Sequence, residues 1–104
     1  MVLPIHAGPE IGVASTKALL GQMLVLYILA IKISEIRNEI SKDNYVKKIN
    51  NLINLPKLIK ETLKCEDKIQ TIAKDFVNAK GSMFLGRGLS FPIALEGALK
   101  LKEL

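Results

Sequence analysis

Two stretches of the chain set glycine and polar or charged side chains at the start of a helical pattern, where chemistry is easiest to build. The first is Gly12-Val13-Ala14-Ser15-Thr16-Lys17. Free backbone amides at a helix start, with a hydroxyl beside them, can hold an anionic or polar oxygen. The plainer reading is that Ser15 or Thr16 simply supplies the N-cap oxygen of a core helix. The second is Leu85-Gly86-Arg87-Gly88, which runs into Ile93-Ala94-Leu95-Glu96-Gly97-Ala98-Leu99-Lys100-Leu101-Lys102-Glu103. Glycines there let a backbone or ligand approach closely. The lysine and hydroxyl of a Walker loop are missing. Ile93, Ala94, Gly97, Ala98 and Leu101 line one helical face, while Glu96, Lys100 and Glu103 fall on another at i, i+4, i+7. Such a charged row is ordinarily an exposed ion-pair ladder. The functional alternative is a carboxylate base with a lysine beside it.

Other reactive residue types offer less. His6 is the only histidine and has no second imidazole with which to share a metal, and Cys65 has no His or basic constellation that would mark a nucleophile. Neither a metal site nor a cofactor is expected. The lone cysteine excludes an intrachain disulfide and points to a reducing, cytoplasmic compartment.

The elements that must position these groups follow from periodicity. Val2–Ile5 reads as the tail of a strand entering the loop His6-Ala7-Gly8-Pro9-Glu10. Residues 18–33 are apolar nearly all round, predicting a helix buried on most sides and ending near Ser41. Asp43 or Asn44 can cap a second helix, with Tyr45, Val46, Ile49, Leu52 and Ile53 on one face. Pro56 should divide it into helices over about 44–54 and 56–64. A further helix is predicted from about Glu66 to Ala79, ended by Gly81. Ser82–Leu85 is an apolar run of strand type, and Ser90 caps a last helix with Pro92 in its first turn. Strand, glycine turn and helix in that order form the front half of a βαβ unit.

Composition narrows the function classes. With 104 residues, 49% hydrophobic and 24% charged, the chain suits one small core rather than two domains. Its net charge of +5 sits mostly in residues 42–64, where six lysines face Asp43 and Glu61. Those lysines lie at helical spacing without the arginines and aromatic platforms of nucleic-acid readers, so no nucleic-acid partner is expected. No secretory signal is seen. Residues 18–33 fall short of the roughly 20 apolar residues of a bilayer span, so no membrane partner is expected either.

The block from Ala7 to Ala18 closely resembles the loop-helix segment in the isomerase half of the glutamine–fructose-6-phosphate aminotransferase family. Phe84–Gly88 and Pro92–Glu103 resemble that family's second signature. The resemblance implies an α/β parent fold, two sugar-isomerase (SIS) domains that are αβα sandwiches around parallel sheets. This chain would be a predominantly α-helical fragment of it with one or two short strands. Residues 1–41 would close the first domain, 42–80 would connect, and 81–104 would open the second.

By matching positions, Val13, Ala14 and Ser15 would line a phosphosugar pocket. Lys100 would sit beside the sugar, and Glu103 would carry a proton between its C1 and C2. The substrate and product implied are fructose 6-phosphate and glucosamine 6-phosphate, in amino-sugar metabolism. The family's glutaminase domain, its upstream phosphate-binding loops and its downstream histidine and lysine have no counterpart here. The chain alone is therefore expected to be inactive, other chains supplying the rest. The alternative is a non-catalytic remnant or a sugar-phosphate binding module.

Overall fold

The structure is a computed structural model that describes residues 2–104. Four α-helices follow one another: α1 Lys17–Ile36, α2 Lys42–Leu63, α3 Glu66–Ala73 and α4 Ser90–Glu103, with a 3-10 turn at Lys74–Phe76. The α/β expectation is corrected here, because no strand or sheet occurs among the described residues. The two segments read as strand, Val2–Ile5 and Ser82–Leu85, carry no ladder. An extended run becomes a strand only when a second one completes its hydrogen bonds. Each instead lies against a helix at a glycine. The Ile5 side chain meets α1 at Gly21, where an added Cβ would stand 3.1 Å from the Ile5 Cβ. The Phe84 ring covers Gly97 of α4, where an added Cβ would stand 2.9 Å from it. A short apolar run without a partner strand has found a helix notch instead.

The chain divides into two compact units: the residues up to Leu29 together with Gly81–Leu104, and Ala30–Lys80. In the second unit, α1 ends earlier than its apolar pattern suggested. Asn38 adopts φ 56°, and the amides of Asn38 and Glu39 donate to the carbonyls of Glu35 (3.0 Å) and Ser34 (2.9 Å). This is a Schellman closure, which pairs the helix's last carbonyls and reverses the chain. Asparagine tolerates the left-handed region better than any other non-glycine residue.

Ser41, not Asp43 or Asn44, caps α2, its Oγ accepting from the Asn44 amide at 3.3 Å. Pro56 lies inside α2 without dividing it. A break there would leave two new helix ends with unpaired amides and carbonyls, against one lost bond for continuing. The half-buried face of α2 is Tyr45, Lys48, Ile49, Leu52 and Leu55, whereas Val46 and Ile53 are exposed. α3 stops at Ala73 and tightens into the 3-10 turn, short of the predicted Ala79.

The predicted burial of the apolar helix is not met among the described residues. Ile31 is the one buried hydrophobic side chain, while Leu20, Leu26 and Ile33 of α1 are exposed. α1 is also long and apolar enough to cross a membrane by length and composition, correcting the expectation that its apolar run is too short. One such helix is equally what the core of a larger soluble protein contains.

The turn at Asn38 predicts a specific stability order. Asn38→Gly should be neutral or slightly stabilising, and Asn38→Val should cost about 1–2 kcal/mol, because a β-branched residue resists positive φ. Denaturant melts of the three proteins read this directly, and an unchanged midpoint for Asn38→Val would contradict the closure described.

Candidate functional site

α1 begins with four amides that have no partner inside the helix. Thr16 occupies the cap position, its carbonyl accepting from the Leu20 amide at 3.2 Å. The oxygens that satisfy the first amides come from Glu10, upstream of both predicted caps. Its Oε1 accepts from the Thr16 amide at 2.8 Å, the Lys17 amide at 3.0 Å and the Thr16 hydroxyl at 3.2 Å. Its Oε2 accepts from the Ser15 hydroxyl at 3.2 Å. The Lys17 ammonium closes the same loop by donating to the Pro9 carbonyl at 2.7 Å. The helix dipole favours a carboxylate here. The anion position that the sequence offers at this helix start is thus filled by the chain's own side chain.

Sequence reasoning passed over Glu10. It stands in a loop with no periodicity, and its partners follow at i+5 to i+7. The available signal was the unanswered question of where the α1 amides find acceptors.

Between the two ends of this tie, Val13 is 82% exposed, and Ala14 and Ser15 are half-buried. Hydrogen bonding, led by the Thr16 amide and opposed by partial desolvation, holds the Glu10 carboxyl below its ordinary value. A depressed carboxyl stabilises the fold above that ordinary value and loses its contribution as pH falls through the lowered one. In acid titration followed by carbonyl and amide NMR, Glu10 should protonate below the ordinary glutamate value, and the Thr16 and Lys17 amides should lose protection with it. A Glu10 midpoint at or above the ordinary glutamate value would refute the cap.

α4 starts without a side-chain cap, since Leu89 and not the predicted Ser90 holds that position. The Ser90 and Phe91 amides donate to the Arg87 and Gly88 carbonyls at 3.1 Å, and Gly88 supplies the φ of 57° that this turn needs. Pro92, third in the helix, has no amide to leave unpaired. Further along, the Lys100 ammonium lies 2.9 Å from Glu103 Oε2 and 3.1 Å from Glu96 Oε1. Their side chains are 21–29% exposed, so this row is half-covered rather than a free solvent ladder. The hydrogen bond to Glu103 first, then Glu96, raises the Lys100 pKa above its ordinary value, against a desolvation that lowers it. Lys100 therefore remains a cation through neutral pH, a donor that cannot take up a proton. Lys100 and Glu103 are brought together, while the hydrogen bonds of Ser15 stay within its own loop.

On the other side of α4, Phe84 with Ser82, Ala98, Leu101 and Lys102 lines an open hollow of about 280 Å³. Gly97→Ala tests this packing. Helix propensity alone favours alanine by about 1 kcal/mol, and crowding the Phe84 ring costs about 1–3 kcal/mol. The variant should be neutral or destabilised in a thermal melt. A full propensity gain would show that the ring is not held there. Among the described residues no three His, Cys, Asp or Glu side chains gather as a metal site, and Cys65 is exposed.

Comparison with known proteins identifies what this pair of helix starts is similar to. Over 103 residues, 99% of its length, the chain is 48% identical to a protein of Bartonella quintana, and equally so to one of Bradyrhizobium diazoefficiens. A protein of Methanosarcina acetivorans is 48% identical over 104 residues. No protein-family model and no solved structure matches the chain. The chain is thus homologous to a segment of an aminotransferase. All three relatives are named glutamine–fructose-6-phosphate aminotransferase [isomerizing], the family whose two signature blocks the sequence resembles, and the chain spans 17% of their length.

Proposed function

We propose that this chain supplies part of the phosphosugar site of a glutamine–fructose-6-phosphate aminotransferase. Val13, Ala14 and Ser15 line the pocket, and Lys100 and Glu103 stand at the reacting carbons. The observation that carries the reading is the half-covered Lys100–Glu103 pair at 2.9 Å, on the helix whose sequence matches the family's second signature. Converting a ketose to an aldose needs one group to move a proton between C1 and C2 across an enol-type intermediate. Glu103 is that group. Lys100 orients its carboxylate and offers positive charge to the sugar oxygen that becomes negative.

Residues 1–41 and 81–104 belong in this reading to successive sugar-isomerase domains, and 42–80 connect them. The rest of the site comes from sequence beyond these residues or from other chains. The exposed apolar side of α1 supports this, since a patch of that kind is covered in a folded enzyme. The protein works in the cytoplasm on fructose 6-phosphate, with neither membrane nor nucleic acid as partner.

Two measurements test this. Incubated alone with glutamine and fructose 6-phosphate, the 104-residue chain should form no glucosamine 6-phosphate, and detectable product would sink the claim that it needs the remainder. Substituted for the matching segment of the Bartonella quintana relative, the same residues should sustain turnover. Glu103→Gln in that chimera should lower kcat by about 100-fold or more. A folded but inactive chimera would favour a non-catalytic remnant, and full activity of Glu103→Gln would remove Glu103 from the chemistry.

A further inference from the structure

We infer that Glu10 is a positioning residue for the sugar-binding loop, fixing both the shape of residues 11–15 and the hydrogen-bond polarity of Ser15. The inference rests on the reading that Val13, Ala14 and Ser15 line the pocket. Ile11 and Val13 are almost fully exposed, at 101% and 82%, so packing does not hold the loop. Its ends are joined at the base by the Glu10 carboxylate, through four hydrogen bonds to Ser15, Thr16 and Lys17, and by Lys17 reaching back to the Pro9 carbonyl. Both carboxylate oxygens are engaged, one on the backbone and one on the serine, so the side chain acts as a two-pronged tie.

The polarity follows from the inventory of a hydroxyl, which has one proton to donate and lone pairs to accept with. Ser15 spends its proton on Glu10 Oε2 at 3.2 Å. What it presents to a ligand is an acceptor oxygen, suited to a sugar O–H donor. The same carboxylate repels a second anion from this helix start, so the loop takes the neutral hydroxyl end of a phosphosugar and not its phosphate. Glu10 touches no substrate in this arrangement; it acts through Ser15 and the loop backbone.

The test uses the active chimera described above, with Glu10→Ala, Glu10→Gln and Ser15→Ala, and fructose 6-phosphate and glutamine as substrates. Glu10→Ala should raise KM for fructose 6-phosphate about tenfold, the worth of a charged hydrogen bond. It should leave KM for glutamine unchanged and kcat within about threefold. Glu10→Gln keeps one acceptor oxygen for the amides but turns an N–H toward Ser15, so it should restore the Thr16 and Lys17 amides while leaving the fructose 6-phosphate KM raised. Amide exchange in the 104-residue chain should accelerate at Thr16 and Lys17 in Glu10→Ala. An unchanged fructose 6-phosphate KM in Glu10→Ala, beside a raised one in Ser15→Ala, overturns the inference and leaves the site reading intact. Unchanged KM in both overturns the site reading, and the inference falls with it. A parallel loss for both substrates, with a lowered melting temperature that Glu10→Gln does not rescue, makes Glu10 merely structural and also overturns it.

Discussion

A helix leaves donors unpaired at its start and acceptors unpaired at its end, and α1 answers both demands with residues outside itself. Glu10 closes the start by folding a loop back onto the Thr16 and Lys17 amides. Asn38 closes the end by taking a left-handed φ and turning the chain toward α2. Side-chain burial contributes little to either, since Ile31 is the one hydrophobic residue buried among those described. The loop carrying Val13, Ala14 and Ser15 is thus shaped by hydrogen bonding, and the reversal that starts the helical segment from residue 42 onward depends on a single backbone conformation.

That balance explains which parts of the fold were legible in the sequence. The helices themselves were, because apolar spacing of three and four residues survives whatever covers the face. Where α1, α2 and α3 stop was not. Asn38 gave no periodic cue, and the apolar stripe ran on beyond it. The face of α2 was read one step off, with Val46 and Ile53 in place of Lys48 and Leu55, because a lysine stem can lie along an apolar surface as readily as a valine. The strand expectation failed for a different reason. Val2–Ile5 and Ser82–Leu85 have the composition of strands, but pairing is a property of two segments, and Gly21 and Gly97 gave each a nearer surface to lie on.

The candidate site was legible in proportion to its regularity. Glu96, Lys100 and Glu103 are set by helix geometry alone, so their convergence follows from their numbers, and the structure adds only the distances and the partial cover. Resemblance to the aminotransferase family, borne out at 48% identity over 99% of the chain, singled out Glu103 and Lys100 from that row, which spacing alone does not do. Glu10 lay outside both kinds of signal. It is neither periodic nor a preferred capping residue type for the position it serves, and its role emerges only when every amide at the start of α1 is assigned an acceptor.

The charges on α4 also divide the labour that the proposed reaction needs. A lysine flanked by two carboxylates is held protonated, its pKa raised by Glu103 and then by Glu96. The stabilisation this gives is complete at neutral pH and is lost only as pH rises through the elevated value, well into the alkaline range. Such a group can neutralise developing negative charge but cannot pick up a proton from carbon at neutral pH. In the proposed reaction the shuttle is therefore a carboxylate. Two are available, and Lys100 bonds more closely to Glu103, at 2.9 Å, than to Glu96, at 3.1 Å. Both are ordinary ion-pair distances, so it is the family resemblance and not this difference that singles out Glu103 as the shuttle in the proposed reaction.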